Sequence, residues 1–492
     1  MLERELKLEA PSRFRLPDLD GVHSSVASAT LDQEKLNTFY LDTRDFRLTR
    51  WGCSLRHRGG EGWTVKLPRN GRGALLERFE QRFEGGPDAP PRGALELLTA
   101  YLRGSPVDKV AELRTLRTLA ALADGHGEKL ADVVLDNVSV VDGRHTLSRF
   151  REIEIELTPA APDDLLDAVV ARLSAARAGA PDPTPKVARA LGERALRPPE
   201  VVVEDLLPDA SAGAVVRRAL AESVVRFVRH DAGVRLAADP EEVHQARVAV
   251  RRLRTHLRTF LPMLDIDWAG ALRSDLDALG EKFGAVRDAD VLLERLRMRT
   301  AQLKAPDRVS ARRIQAIAQA QRDEAMARLR EAISSKSYVE LLKRMIAAAK
   351  VPPLAPIAAE PALVTLPPLV TSLWRNARNR VDEVGDHPAP LVLHKLRIRV
   401  KRCRYAAEAL APIIGKRARA FSKAAAHVQD VLGEHHDAVV AQEWLKRSVP
   451  PGKLSFACGQ LSALELTAER DAYGGWREAW RAMDRKKLRA WL

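Results

Sequence analysis

At residues 152–157 the chain reads Glu-Ile-Glu-Ile-Glu-Leu, and at residues 3–7 it reads Glu-Arg-Glu-Leu-Lys. Side chains two residues apart on a β-strand lie on the same face, so each stretch predicts a strand with charged groups along one side. An exposed antiparallel strand shows the same alternation without any function, because one of its faces meets water. If the charged sides of both strands instead face inward, their carboxylates and basic groups line one cavity, and the presence of two such strands favours this arrangement.

Two parts of the chain differ in the residue patterns that predict secondary structure. Up to about residue 158, short alternating runs such as residues 37–41 and 64–67 are separated by Gly and Asp turns, which predicts strands. From about residue 211 onward, Ala, Leu, Arg and Glu recur at helical spacing, which predicts helices. A Pro-rich segment lies between the strand-rich part and the helical part. The expected organisation is a strand-rich domain at residues 1–197, a linker at 198–210 and a helical domain at 211–488.

The charge of the chain predicts a polyanionic partner. Its 492 residues carry a formal net charge of +14, although charged residues of both signs are abundant. Nucleic acid, an anionic membrane surface and condensed phosphate would all satisfy this charge. Aromatic residues make up only 5% of the chain and do not interleave with basic ones, which argues against nucleic acid held by base stacking.

The cysteine pattern and the hydropathy favour a reducing compartment. Cys53, Cys403 and Cys458 are odd in number and have no C-x-x-C spacing, so neither a disulfide framework nor a thiolate zinc site is predicted. The N-terminus alternates charged with apolar residues, unlike a secretory signal, and no apolar run has the length of a bilayer span. We therefore expect a cytoplasmic protein without membrane association.

Basic residues accompany the acidic strands at in-register positions, as in residues 56–58, at Lys66, and at Arg114 and Arg117. Carboxylate oxygens are the ligands that the hard cations Mg²⁺ and Mn²⁺ prefer. A triphosphate needs fixed positive charges along its length, and a bridging metal neutralises charge as the terminal phosphoryl group is displaced. The combination predicts metal-dependent chemistry on a phosphate chain.

The same residues resemble a known family over roughly residues 1–197. The spacing Glu3-x-Glu5-x-Lys7 matches the ExExK signature of CYTH domains, also called triphosphate tunnel metalloenzymes. The resemblance implies a closed antiparallel barrel of eight strands whose tunnel binds a triphosphate and a divalent metal. It extends through Tyr40-x-Asp42-Thr43, Arg56-x-Arg58, Thr64-x-Lys66, Asp136, Glu152, Glu154 and Glu156.

The CYTH resemblance implies a role for each matching residue. Glu3, Glu5 and Lys7 are the expected catalytic residues. The expected ligands of Mg²⁺ or Mn²⁺ are Glu3, Glu5, Asp136, Glu152, Glu154 and Glu156. The expected phosphate-binding residues are Lys7, Arg56, Arg58, Lys66, Arg114, Arg117 and Lys186. The sequence departs from the family at the last of these, because a Ser-Lys pair is common there and this chain has Pro185 before Lys186.

The helical part contains an internal repeat with a period of roughly 150 residues, longer than the repeats of solenoids. Residues 244–254 align with residues 394–404, and residues 283–288 align with residues 432–437. The repeat predicts two duplicated helical bundles, with halves at about residues 211–350 and 365–488. A Pro-rich connector separates them.

Both copies of the repeat carry a basic stripe on one helix face. His244, Arg247, Arg251 and Arg254 follow one another at intervals of three or four residues. The second copy contains His394, Arg397, Lys401 and Arg404. Like charges at this spacing repel by a few tenths of a kcal/mol per pair. A solvated face paired with neighbouring helices could carry one such stripe, but two copies favour binding of an anion.

The repeated stripes resemble the CHAD domain, a domain of two four-helix bundles around a pseudo-twofold axis with a basic cavity that binds inorganic polyphosphate. The resemblance covers roughly residues 211–488. It implies polyphosphate binding by His244, Arg247, Arg251, Arg252, Arg254, His394, Arg397, Lys401, Arg402, Arg404 and His436. A histidine beside phosphates can add charge near neutral pH, and packing between helices is the alternative role for these rings.

Together these features predict an inorganic triphosphatase, a phosphoanhydride hydrolase that depends on Mg²⁺ or Mn²⁺. The helical domain would bind polyphosphate and could bring the enzyme to polyphosphate granules. Two alternatives stay open: a non-catalytic polyphosphate-binding protein, which the intact acidic triplets argue against, and an adenylate cyclase of the CYTH type. The sequence leaves the exact triphosphate, the preferred metal and the oligomeric state open.

Overall fold

A computed structural model describes residues 2–69, 75–237, 239–386 and 388–492. The side chain of Glu3, an expected metal ligand and catalytic residue, lies outside the described residues. The chain forms two compact units, Met1–Glu200 and Val201–Leu492. The boundary falls inside the expected linker, whose first residues pack on the N-terminal unit: Arg50 Nε donates a 2.9 Å hydrogen bond to the Pro198 carbonyl, and Trp51 Nε1 donates one to Glu200.

The N-terminal unit is a closed antiparallel barrel of eight strands, as predicted. Around the barrel the strands follow the order β1-β5-β4-β3-β2-β6-β7-β8, and β8 pairs with β1 to close it. The strands are β1 (Leu2–Glu9), β2 (Ser28–Asp42), β3 (Ser54–Arg58), β4 (Gly62–Pro68), β5 (Leu76–Phe83), β6 (Asp108–Ala123), β7 (Lys129–Asp142) and β8 (His145–Leu157).

The register of the strands brings the two charged stretches together. Glu5 pairs with Glu156 and Lys7 with Glu154 across β1 and β8, while Asp136 pairs with Glu152 across β7 and β8. Directly opposed residues of neighbouring strands point to the same side of a sheet. The charged side chains of β1, β7 and β8 therefore share the inner face of the barrel.

The apolar side chains of the same strands face outward and form a core beneath a helix. Ile153 and Ile155 are fully buried against α4, through Leu165, Val169 and Leu173. Covering the apolar face in this way leaves the charged residues of β8 to face the tunnel. The helices of this unit are α1 (Arg47–Arg50), α2 (Arg92–Leu97), α3 (Thr99–Leu102), α4 (Leu165–Ala175), α5 (Lys186–Leu191) and α6 (Glu193–Leu196).

Asp42, part of the Tyr40-x-Asp42-Thr43 match, supports the fold. Its buried carboxylate accepts hydrogen bonds of 2.7–2.9 Å from the backbone N–H groups of Thr43, Leu48 and Thr49. It thus satisfies donors at and near the beginning of α1, as side chains commonly do at helix N-termini. This segment of the match holds the chain reversal between β2 and β3.

The C-terminal unit is built almost entirely of helices, as predicted. Its helices are α7 (Ala212–Leu236), α8 (Pro240–Thr259), α9 (Ile266–Gln302), α10 (Ala305–Ile333), α11 (Lys336–Lys350), α12 (Ala362–Asp382), α13 (Pro390–Ile414), α14 (Lys416–Ser448), α15 (Ser455–Met483) and α16 (Lys486–Arg489), with 3₁₀ turns at Leu261–Met263 and Pro356–Ala359. No helix in the described part of the chain combines the length and apolar content needed to cross a bilayer.

The internal repeat corresponds to two successive sets of four helices. Helices α7 to α10 form the first set and α12 to α15 the second, with the basic stripes on α8 and α13. The first half also has a fifth helix, α11, which packs on α7 through a hydrogen bond from the Tyr338 hydroxyl to Asp231. Both stripe helices begin with a proline at the first turn, where its missing N–H costs no hydrogen bond.

Candidate functional site

The barrel encloses a cavity of about 330 Å³ whose lining is dominated by charged side chains. Its acidic side chains are Glu5, Glu34, Glu61, Glu80, Asp132, Glu154 and Glu156, and its basic side chains are Lys7, Arg56, Arg58, Lys66, Arg78, Arg82, Arg117 and Lys186. Charges of both signs in one enclosed space are expected of a site that holds an anion together with a metal cation.

The charges of the tunnel are divided between two walls. The adjacent strands β3, β4 and β5 contribute five of the cations, Arg56, Arg58, Lys66, Arg78 and Arg82. The carboxylates concentrate on β7, β8 and β1. We call these the cation wall and the carboxylate wall.

Three carboxylates of the carboxylate wall form a compact group. Asp136, Glu152 and Glu154 each offer one oxygen, and these oxygens lie within 4.8 Å of one another. All three side chains are buried, and Glu152 accepts no well-aligned hydrogen bond from the described residues, although Lys186 Nζ lies 3.0 Å from its Oε1 atom. A buried carboxylate without hydrogen bonds is costly unless a cation is close, and oxygen ligands suit Mg²⁺ or Mn²⁺. The donor set therefore fits a hard divalent metal.

Three cations of the chain hold this carboxylate group together. Arg117 donates two hydrogen bonds, of 2.9 and 2.8 Å, to the two oxygens of Asp136. Lys7 Nζ donates a hydrogen bond to Glu154 and lies 3.7 Å from Glu152. Lys186 Nζ lies within 3.0 Å of all three carboxylates.

The mutual charges keep both partners ionised. Burial alone would raise the pKa of Glu154, but the charges of Lys186, Lys7 and Arg117 hold it well below its ordinary value. Burial likewise would lower the pKa of Lys186, but Glu154, Asp136 and Glu152 raise it well above its ordinary value. At neutral pH Glu154 and Lys186 therefore both stay charged.

Most of the other residues expected in the tunnel line it. Arg56, Arg58 and Lys66 lie on the cation wall, where Arg58 is paired with Glu61 at 2.9 Å. Glu5 and Glu156 also line the cavity, but they are not members of the three-carboxylate group. Glu5 is instead paired with Arg78 at 3.1 Å.

The assignment of Arg114 to the triphosphate site requires a correction. Residues three apart on a strand point to opposite faces, so Arg114 cannot share the inner face of β6 with Arg117. The Arg114 side chain is exposed and donates a 3.0 Å hydrogen bond to the Gly143 carbonyl. It belongs to the outer surface of the barrel.

Strand β5 supplies tunnel residues that were not expected. Arg78, Glu80 and Arg82 line the cavity, and Glu80 lies 3.2 Å from Lys66. Burial opposes ionisation of Glu80, but Lys66 and Arg56 lower its pKa to about 2. The signal that could have identified these residues is the same two-residue spacing of charges that identifies β1 and β8.

The helical unit contains a second cavity, of about 590 Å³, between the stripe helices α8 and α13 and helices α9 and α14. We call it the basic cavity. Nine of the eleven residues expected to bind polyphosphate line it: His244, Arg247, Arg251, Arg252, His394, Arg397, Lys401, Arg404 and His436. Arg226, Arg287 and Arg295 add further cations from α7 and α9.

Two expected members, Arg254 and Arg402, do not line the basic cavity. Arg254 lies one turn beyond Arg251 and is paired with Asp277 of α9. Arg402 follows Lys401 directly, and one residue rotates the side chain by about 100° around the helix. These two residues are therefore corrections to the expected binding set.

Glycines explain the second pair of repeated motifs. A Cβ atom at Gly433 of α14 would lie 2.8 Å from Arg397 Nη2, so an alanine there would push the guanidinium away. At the equivalent Gly284 of α9, a Cβ atom would lie 3.9 Å from Arg247 Nη2. Arg247 is in turn oriented by Asp288, whose carboxylate lies 3.0 Å from the guanidinium.

Tyr405 is a cavity residue without a counterpart in the first repeat, where Thr255 takes its place. Its hydroxyl accepts a 3.0 Å hydrogen bond from Arg251 Nε. The guanidinium groups of Arg251, Arg252 and Arg404 lie 4.8–5.9 Å from its ring centre. Through these cation–π contacts the ring stabilises three guanidinium groups that repel one another.

The basic cavity has more positive charge than its carboxylates neutralise. Burial, followed by the charges of Arg397, Arg251 and Arg247, lowers the pKa of Lys401 to about 6. Burial, His436 and Lys401 lower the pKa of His394 to about 4, and the two imidazole rings lie 4.3 Å apart. An anion in the cavity would relieve this repulsion.

The family model of the CHAD domain matches residues 218–446. Two uncharacterized proteins of Mycobacterium tuberculosis, one from strain H37Rv and one from strain CDC 1551, are each 29% identical over 469 residues, which cover 90% of this chain and 88% of each relative.

Two solved structures are also similar in part. PptA from Streptomyces chartreusis is 22% identical with a TM-score of 0.46, and the match covers 55% of this chain and 100% of that one. The CHAD domain from the plant Ricinus communis is 29% identical with a TM-score of 0.46, and the match covers 57% of this chain and 96% of that one.

Proposed function

We propose, starting from the CHAD domain formed by residues 218–446, that the chain is a metal-dependent triphosphatase of the CYTH type whose helical unit binds polyphosphate. The observation that carries the catalytic part is the compact group of Asp136, Glu152 and Glu154, of which Glu154 lines the same cavity as the cation wall. Inorganic triphosphate is the substrate that this predominantly charged lining suits best.

In this proposal each wall has a separate task. Arg56, Arg58 and Lys66 bind the phosphate oxygens and orient the chain along the tunnel. Asp136, Glu152 and Glu154 would hold the divalent metal, which would supply positive charge to neutralise the terminal phosphates. Arg117 keeps the Asp136 carboxylate in a fixed orientation through its two hydrogen bonds. Enclosure by the barrel strengthens these interactions, because little water screens them.

The basic cavity supports the second part of the proposal. It gathers cations from both repeats, while the carboxylates in its lining are Asp288, Asp430 and Asp437. In the described part of the chain, Lys401 has no carboxylate within ion-pair distance. A polyphosphate can neutralise many cations at once and release its own counterions, and its narrow, flexible chain fits a cavity that a DNA duplex could not enter.

Product analysis separates the candidate functions. The full chain is incubated with inorganic triphosphate or with ATP in the presence of Mg²⁺ or Mn²⁺, and the products are separated by ion-exchange chromatography. We expect phosphate and pyrophosphate from triphosphate. Cyclic AMP from ATP would instead identify an adenylate cyclase, and unchanged substrates together with tight polyphosphate binding would identify a non-catalytic binding protein.

Polyphosphate affinity is expected to increase as the pH falls from about 9 to about 7. The free ammonium of Lys401 has a pKa of about 6, and a bound anion raises it toward its ordinary value of 10.5. Binding between these two values takes up a proton, so affinity gains up to about tenfold per pH unit. Groups facing Lys401 are Arg247 and Arg251 of α8, Arg397 of α13 and Asp437 of α14.

Titration of the full chain with long-chain polyphosphate at constant ionic strength measures this dependence. The variant Lys401→Arg should bind with nearly the same affinity at pH 7 and pH 9, because arginine stays charged throughout. A wild-type affinity that does not change between these pH values would contradict the assignment of Lys401 to the binding site.

A further inference from the structure

Among the described residues, Lys186, the first residue of α5, is the cation that contacts all three members of the carboxylate group. Its Nζ lies 2.6 Å from Asp136 Oδ2, 3.0 Å from Glu152 Oε1 and 2.6 Å from Glu154 Oε2. The oxygens offered by these three side chains are within 4.8 Å of one another. The ammonium group therefore lies among the ligand atoms themselves.

A divalent metal at this group would need the same space. Mg²⁺ coordinates carboxylate oxygens at about 2.0–2.1 Å, so an ion bound to all three carboxylates would overlap the ammonium group of Lys186. Two cations at such close range also repel strongly in a buried site. The metal and the ammonium can therefore bind these oxygens only in turn.

The other two cations of the group can stay where they are. Arg117 approaches Asp136 side-on through two hydrogen bonds, and Lys7 contacts Glu154 and Glu152 from the neighbouring strand β1. Both residues lie on strands inside the closed barrel. Lys186 instead begins a six-residue helix that follows the Pro-rich residues 181–185.

Few polar contacts hold the first turn of α5 in place. Arg189 is paired with Asp182 and lies 3.7 Å from Glu152, and Val187 packs with Tyr40 and Val140. A shift of the Lys186 side chain, with a loosening of the first turn of α5, requires no rearrangement of a strand.

We infer that Lys186 is a positioning residue whose ammonium group holds Asp136, Glu152 and Glu154 together until a divalent metal displaces it. The inference rests on the proposed function, because it concerns the metal site of the tunnel. It adds that metal binding and the position of α5 are coupled. The displaced ammonium then faces the tunnel, where the phosphate chain of the substrate would lie.

Metal affinity is the first measurement. Mn²⁺ is titrated into metal-free full-length protein by isothermal titration calorimetry, and Mn²⁺ electron paramagnetic resonance counts the bound ions. The variant Lys186→Gln should bind the tunnel ion at least about 10-fold more tightly than the wild type, because a competing like charge is removed. The control Lys109→Gln removes the same charge from an exposed side chain of β6 and should change the affinity less than about twofold.

Hydrogen exchange of the wild type is the second measurement and needs no substitution. Saturating Mn²⁺ should increase amide exchange in α5 (Lys186–Leu191), because the Lys186 anchor is released, and should decrease exchange in β7 and β8. A purely structural Lys186 would show no increase in α5.

The outcomes are distinguishable. Absence of Mn²⁺ binding to the wild type would overturn the metal site of the proposed function. Wild-type binding with equal or weaker affinity in Lys186→Gln would overturn the inference alone. Tighter binding in the variant without increased exchange in α5 would also overturn it, because the ammonium would then act only through its field and not by occupying the site.

Discussion

The substitution Glu154→Gln is expected to reduce triphosphate hydrolysis by roughly 100- to 1000-fold, the size of loss that follows removal of one preorganised electrostatic partner in an active site. Glutamine keeps the shape of glutamate, but it removes the charge that we propose binds the metal and that faces Lys7, Arg117 and Lys186. Phosphate release at saturating Mg²⁺ measures the effect.

The control for this substitution is Glu96→Gln, an exposed glutamate of α2 on the same unit. It should leave the turnover unchanged. Circular dichroism checks that both variants keep the barrel, and Asp136→Asn offers a second test of the same group if Glu154→Gln does not fold. Wild-type turnover in a folded Glu154→Gln protein would remove the carboxylate group from the mechanism.

Neutralising four cations of the basic cavity is expected to weaken polyphosphate binding by roughly 1000-fold or more at low salt, because the electrostatic contribution dominates binding to a linear polyanion. The four changes are Arg247→Gln, Arg251→Gln, Arg397→Gln and Lys401→Gln, all in the cavity lining. The slope of log affinity against log salt should fall by about 3, since each lost contact removes about 0.7 for a single-stranded polyanion.

A matched variant separates the cavity from the general charge of the protein. Arg312, Arg313, Arg328 and Arg330 are exposed on α10, and changing all four to glutamine removes the same number of basic side chains. This variant should lose less than about tenfold in affinity. If both quadruple variants lose affinity equally, the protein binds polyphosphate over a diffuse basic surface.

The sequence was informative where side-chain periodicity is simple. The two-residue spacing of charges in β1 and β8 predicted an inward charged face, and the closed barrel confirms the fold. The same rule, applied to β6, would have placed Arg114 outside, because it lies three residues from Arg117. It would also have identified Arg78 and Arg82, which alternate through β5 in the same manner.

Other features depend on contacts between distant segments. The local sequence does not distinguish Arg251 from Arg254, because both lie on the same face of α8. Arg254 is directed away from the cavity by its ion pair with Asp277 of α9. Tyr405 has no repeat partner and no motif. Its role depends on three arginines that come together only when α8 and α13 pack against each other.

The contacts of Lys186 in the tunnel also depend on segments that are distant in the sequence. The chain departs from the family pattern at Pro185, and 32 residues separate Lys186 from Glu154. Its contact with all three carboxylates arises from the return of α5 into the barrel after α4. A close approach of this kind has no signature in the sequence.

The most direct test of the account is ³¹P NMR of inorganic triphosphate incubated with the full chain. With Mg²⁺ or Mn²⁺ present, we expect the triphosphate signals to be replaced by those of phosphate and pyrophosphate in equal amounts, and we expect a chelator to stop the reaction. Triphosphate that persists with both metals, or hydrolysis that continues in metal-free buffer, would contradict a metal-dependent triphosphatase in the tunnel.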